Sequence, residues 1–176
     1  MILYRELCLE EVNRPLFFYF QRRQNVTKCW RKVNGEWMIK DIAFIDDWTE
    51  QEYNELITYL KYIIQIEGVV IGAFLEEQLK GFASVEPQLF GSHTQYMDLS
   101  HIYVSEDMRR KGIGKGLFQK VTDYARIHGA RKLYISAHSA VESQAFYRSM
   151  GCMEAEEYNL LHVEKEPCDC QLEYRL

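Results

Sequence analysis

From position 109 to 116 the chain reads Arg-Arg-Lys-Gly-Ile-Gly-Lys-Gly. Four basic side chains, Arg109, Arg110, Lys111 and Lys115, fall close together in a chain of net charge −5. Cations interleaved with glycines suit phosphate binding. Backbone N–H groups at the start of a helix lack intrahelical acceptors and carry partial positive charge, so they hold an anion if side chains do not keep it away. Gly112, Gly114 and Gly116 remove those side chains, and the flanking guanidinium and ammonium groups add charged donors. The spacing is not that of two familiar phosphate loops. Leu117 stands where the dinucleotide fingerprint wants a third Gly or Ala, and no Gly precedes Gly114-Lys115 at P-loop spacing. The plain alternative is a solvated basic loop whose glycines allow a tight strand-to-helix turn.

Such a loop needs a strand to deliver it and a helix to follow. Met97–Val104 reads as the strand. The helix runs from Gly112-Ile113 to about His128, with Ile113, Leu117, Val121, Tyr124 and Ala125 at helical spacing and Gly129 as its C-terminal stop. Beyond it, Arg131–Ser136 reads as a strand, Val141–Met150 as a helix ended by Gly151, and Gln171–Leu176 as a last strand. Upstream, residues 1–7 predict a strand and Asn13–Gln24 a short helix with Pro15 near its start. Thr27–Val33 and Trp37–Ile45 flank Asn34-Gly35, a strong hairpin signal. Thr49 and Glu52 form a capping box for a helix to about Ile66, whose apolar face is Tyr53, Leu56, Ile57, Leu60, Ile63 and Ile64. Val69–Glu76 and Leu79–Glu86 predict two more strands, and 87–95 a loop. With no repeat, low-complexity stretch or linker, residues 1–176 read as one domain.

Composition narrows the function. A chain of 176 residues with 47% apolar and 27% charged residues can bury a core without disulfides or metal. The excess of acidic residues, 26 against 21 basic, argues against a nucleic-acid binder and permits a cationic substrate. No apolar run is long enough to span a bilayer, and Arg5 and Glu6 lie where a signal peptide would be apolar. Five cysteines, an odd count, predict reduced thiols in the cytoplasm. Cys168-x-Cys170 lacks a second pair at zinc spacing, so no metal is expected.

Arg109-x-x-Gly112-x-Gly114 after a strand resembles the acyl-CoA signature of the GCN5-related N-acetyltransferase (GNAT) superfamily. Glu142-Ser-Gln-Ala-Phe146-Tyr147-Arg-Ser-Met-Gly151-Cys152 resembles that family's second motif, a short helix carrying Phe-Tyr. The two motifs span residues 98–152. The chain departs from the pattern at Ala140, where the family often has Asn, and at Cys152, where an aromatic usually stands. Neither motif accounts for the hairpin.

The resemblance implies an α+β fold in three layers, α-β-α, with a mixed and mostly antiparallel central sheet flanked by helices. It implies direct transfer of an acetyl group from acetyl-CoA to a primary amine in a ternary complex. The pyrophosphate would rest on the N–H groups of Arg110, Lys111, Gly112, Ile113, Gly114 and Lys115, with Arg109 adding a cation. The pantetheine would pair like an extra strand with Ile102, Tyr103 and Val104. Tyr147 would protonate the departing thiolate. For the base, Glu86, Asp98 and His101 are the candidates by chain order, with Glu86 at a strand end beside the cofactor strand. Asp46, Asp47 and the tryptophans 30, 37 and 48 would suit an anionic aromatic pocket for a cation, against the plainer reading of core and helix-start residues. The acceptor is expected to be a small-molecule amine. A protein N-terminus or lysine stays open, as do a non-catalytic acyl-CoA sensor and a homodimer. No nucleic acid or membrane partner is expected.

Overall fold

Asn34 and Gly35 both take positive φ, 51° and 82°, and reverse the chain between β2 (Gln24–Val33) and β3 (Glu36–Asp46). Two successive left-handed residues twist the turn in the sense that paired strands require. The pair is antiparallel from Gln24–Asp46 to Val33–Glu36 and forms a separate two-stranded sheet. The chain then enters α1 (Glu50–Gln65) through the expected capping box: Thr49 Oγ1 accepts the Glu52 N–H at 3.2 Å, and the Glu52 carboxylate accepts the Thr49 N–H at 2.7 Å. The computed structural model describes all 176 residues.

The main sheet holds β1 (Leu3–Glu6), β4 (Val69–Leu75), β5 (Gln78–Val85), β6 (Tyr96–Val104), β7 (Lys132–Ala137), β8 (Met153–Glu154) and β9 (Cys170–Arg175), in the order β1-β4-β5-β6-β7-β9-β8. Every neighbouring pair is antiparallel except β6–β7. Side-chain alternation assigns the faces. Val69, Ile71 and Ala73 pack with Ile113, Leu117 and Val121 of α2 (Ile113–Ile127), whereas Val70, Phe74 and Phe82 pack with Leu56, Leu60 and Ile63 of α1. With α3 (Val141–Met150) on the α2 side, this is the mixed, mostly antiparallel α-β-α sandwich expected. No helix is long and apolar enough to cross a membrane.

Two features position the site. β6 and β7 pair only from Tyr96–Lys132 to Asp98–Tyr134 and then separate, so Leu99–Val104 have a strand partner on the β5 side alone. The register also shifts between Ser84 and Val85, making Ser100 an extra residue on β6. A bulge of this kind bends and twists its strand, which helps β6 diverge.

The expected helix over Asn13–Gln24 is only a 3-10 turn, Arg14–Phe17. The reason lies in where the following backbone groups bond. The carbonyl of Tyr19 accepts from Lys80 Nζ (3.2 Å), the N–H of Gln21 donates to Ser105 Oγ (2.9 Å), and the Gln21 carbonyl accepts from the Glu106 N–H (2.8 Å). Phe17 and Phe20 meanwhile bury against α1. Neither the short strand β8 nor a one-and-a-half-turn helix, α4 (Leu160–Lys165), is foreshadowed by periodicity.

Gly116 fixes how closely α2 approaches β1. A Cβ there would lie 2.2 Å from the Tyr4 hydroxyl oxygen and 2.4 Å from the ring carbon that bears it. Gly116→Ala should therefore destabilise the fold by about 1 kcal/mol or more, overpacking outweighing the ~1 kcal/mol that Ala ordinarily gains over Gly in a helix. Urea denaturation reads this directly; an unchanged midpoint would mean that Tyr4 swings aside freely.

Candidate active site

The loop after β6 is built to leave its amides free. Ser105 is fully buried, and its Oγ donates to Asp107 Oδ1 at 2.5 Å while accepting from Gln21. A 3-10 turn over Glu106–Met108 follows. Arg110 (φ 61°) and Gly112 (φ 81°) then turn the backbone left-handed on either side of Lys111. None of the N–H groups from Arg110 to Lys115 donates to a protein acceptor, and Gly112, the N-cap of α2, has no side chain to occupy them. Successive free amides in such a turn make an anion-binding concavity. At Gly114 a Cβ would stand 3.1 Å from the Phe146 ring and 3.7 Å from Val104, so the start of α2, α3 and the end of β6 meet there.

The four basic side chains divide between two tasks. Arg109 is half-buried, donating from Nε to the Val104 carbonyl (3.3 Å) and from Nη2 to the Arg22 carbonyl (3.1 Å). Burial, with Arg22 beside it, lowers its pKa. Lys111 Nζ donates to the Asp107 carbonyl at 3.2 Å. These two side chains brace the loop, whereas those of Arg110 and Lys115 are exposed.

On the α1 face of the diverging strands the structure collects Glu86, Asp98 and His101. The Glu86 N–H donates to the Asp98 carbonyl (3.0 Å), and its carboxylate accepts the Tyr59 hydroxyl from α1; burial, with this bond, holds that phenol protonated. His101 Nδ1 lies 2.8 Å from Ser84 Oγ, and burial pushes its pKa down to about 4. A neutral, engaged ring of this kind is a packing histidine.

Helix α4 and the chain after it cross this face. His162 Nε2 lies 2.6 Å from Asp98 Oδ2, and the ring stacks on Tyr134 of β7 with centroids 5.7 Å apart. The Asp98 bond raises the His162 pKa. Asp169, just before β9, accepts from Ser136 Oγ of β7 at 3.1 Å, and burial raises its pKa. It lies within electrostatic reach of both Tyr103 and Tyr147. Sequence reasoning missed His162 and Asp169. They sit on a short helix and a loop, and only the tertiary fold brings them to residues 64 and 33 positions away.

Tyr147 sits on α3, facing inward and 8% exposed. Its hydroxyl makes no hydrogen bond within the protein, and burial raises its pKa. At the start of α3, Ala140 is fully buried against Val26 and Cys29 of the hairpin. Cys29 bridges to it, and the Trp30 N–H donates to the Ser139 carbonyl at 2.8 Å. The hairpin thus docks on the position where the family pattern has Asn.

The anionic aromatic pocket is not assembled, because each tryptophan already carries a cation of this chain. Arg22 is buried over Trp48 (5.0 Å) and Tyr103 (4.8 Å) and paired with Asp46 Oδ2 at 2.5 Å; Arg148 lies over Trp30 and Lys32 over Trp37.

A family model described as the acetyltransferase (GNAT) family matches residues 29–152. Among solved structures, the chain resembles a nourseothricin acetyltransferase, with 14% identity and a TM-score of 0.71 over 99% of this chain and 98% of that one. It also resembles a protein of Bacillus anthracis str. Ames assigned as a streptothricin acetyltransferase, in complex with acetyl coenzyme A (18% identity, TM-score 0.73, 100% and 99% covered). A third is the PaiA N-acetyltransferase of Thermoplasma acidophilum in complex with coenzyme A (16% identity, TM-score 0.63, 100% and 99% covered). At these identities the structural likeness establishes the fold. No curated protein matches the sequence.

Proposed function

The chain belongs to the acetyltransferase (GNAT) family, whose members take acetyl-CoA as donor, and from that premise we propose that it acetylates a primary amine of a small cationic molecule. The observation that carries this reading is the pairing of two features across the diverging strands. One is the loop with free amides at 110–115; the other is the group of carboxylates Glu86, Asp98 and Asp169 on the α1 face. In this reading the CoA pyrophosphate rests on the free amides, and the pantetheine runs along Ile102, Tyr103 and Val104 on the open side of β6. Holding amine and thioester together in one wedge supplies much of the rate. Glu86 and its neighbours face the incoming ammonium, and Tyr147 faces the leaving sulfur. Residues 1–176 act as one domain in the cytoplasm, with all five thiols free.

That α4 crosses the wedge favours a small acceptor over a protein segment, which would need an open groove. Two of the similar structures are acetyltransferases named for nourseothricin and streptothricin, in keeping with a small acceptor.

Thiol release from acetyl-CoA should be seen with small di- and polyamines or aminoglycoside-like amines, and should be weak with peptides of matching N-termini. Turnover of peptides alone would reverse the order of the two readings, and stabilisation by acetyl-CoA without release from any amine would indicate a sensor. Because the acceptor must shed a proton before attack, kcat/KM should rise with pH from the acidic side. A flat profile from about pH 6 to 9 under chemistry-limited conditions, or activity on hydroxyl acceptors alone, would contradict an amine substrate.

A further inference from the structure

We infer that His162, positioned by Asp98, takes the proton from the acceptor's ammonium. The inference rests on the amine reading above and deepens it by naming the base. Asp98 is 5% exposed and stands where β6 and β7 part. One of its oxygens, Oδ2, meets His162 Nε2, while the other, Oδ1, is buried with no partner. An ionised carboxylate only accepts, so Nε2 carries the hydrogen of that bond and the lone pair of neutral His162 lies on Nδ1. Nδ1 has no partner within the protein. A buried carboxylate oxygen without a donor is costly to hold; Nδ1, by contrast, is not sealed in, so its lone pair can meet the nitrogen of a bound acceptor on the side of the ring away from Asp98.

The surroundings set the behaviour of the ring. Asp98 on β6 and Glu86 after β5 favour its charged form, whereas burial and, more weakly, Lys165 on α4 oppose it. Asp169 before β9 interacts with it, the Tyr134 ring from β7 stacks on it, and Tyr59 of α1 faces Asp98 and Glu86. The other two candidates are otherwise engaged: His101 stays neutral on Ser84, and Glu86 accepts from Tyr59.

The step balances simply. The ammonium N–H bond breaks, its proton goes to His162 Nδ1, and the freed lone pair attacks the thioester carbonyl. The C–S bond breaks as the tetrahedral intermediate collapses. The second amine proton ends on the CoA sulfur by way of Tyr147, and His162 returns its proton to water.

The test is the pH profile of kcat/KM for an amine the wild-type protein acetylates. With the ring pKa raised, the acid limb should lie above the ordinary histidine value of about 6.5. His162→Gln should lower kcat by roughly a hundred- to ten-thousand-fold and abolish that limb, with acetyl-CoA affinity intact. Imidazole should restore part of the activity of His162→Ala. Asp98→Asn, which keeps the shape of the side chain but removes the charge, should move the limb to lower pH. If His162→Gln binds acetyl-CoA normally and keeps near-wild-type kcat and an unshifted limb, His162 is only a tether for α4 and the inference fails. Loss of activity in His162→Ala without imidazole rescue, together with an unmoved limb in Asp98→Asn, would also overturn it. Failure of the wild-type protein to acetylate any amine would instead strike the functional reading on which the inference rests.

Discussion

Tyr147→Phe should lower kcat by roughly ten- to a thousand-fold while leaving acetyl-CoA affinity nearly unchanged. The change removes one oxygen and keeps the ring, which packs in the α2-side core with Cys152 and the start of β9. A tyrosine buried for packing usually finds a partner for its hydroxyl; here the O–H has none within the protein, and burial keeps it protonated. Donation to a thiolate whose acid titrates near ~8.5 is uphill for a phenol of ordinary pKa ~10. The same burial disfavours the thiolate too, so a strong hydrogen bond to the departing sulfur assists C–S cleavage even before the proton moves. Pre-steady-state measurement of the chemical step separates the roles: near-wild-type kcat with chemistry rate-limiting would mean that water or another donor serves the sulfur.

Gly114→Val should raise the dissociation constant of acetyl-CoA at least about tenfold, since each charge-assisted hydrogen bond lost is worth ~1.5–3 kcal/mol and ~1.4 kcal/mol is a factor of ten. Even a Cβ at this position presses on Phe146 at 3.1 Å. That ring is itself held between Phe118 (6.3 Å) and Tyr147 (5.2 Å), so it yields little. The branched methyls would add to this pressure, forcing the start of α2 and its free amides out of position. Calorimetry on a variant with a native near-UV spectrum checks this, and unaltered affinity would remove the phosphate role from the loop. The effect should exceed that of changing Arg109, whose guanidinium already serves two backbone carbonyls.

What could be read from the sequence was what local chemistry decides. Asn34-Gly35 can hardly do other than turn a hairpin, Thr49 and Glu52 cap a helix, and the glycines at 112 and 114 leave the loop's backbone uncovered, Gly112 with a positive φ and Gly114 against the Phe146 ring. What escaped was decided by distant partners. Residues 18–22 carry helix-compatible side chains, but their backbone is claimed by Lys80, Ser105 and Glu106. Helix α4 has no apolar stripe to betray it, because Leu160 and Leu161 face solvent. His162 acquires its meaning only once the chain folds it onto Asp98. The tryptophans misled for the opposite reason: near the acidic residues in sequence, they looked like a receptor for an outside cation, and the fold fills each of them with a cation of its own.

The most direct measurement compares donors on the unaltered protein. If the pyrophosphate is held by the amides of Arg110–Lys115, calorimetry should show acetyl-CoA and CoA binding at least about tenfold more tightly than S-acetylpantetheine, which keeps the thioester arm and lacks the phosphates. That preference should shrink as salt is raised, through the exposed Arg110 and Lys115. Equal affinity for acetyl-CoA and S-acetylpantetheine would contradict the account.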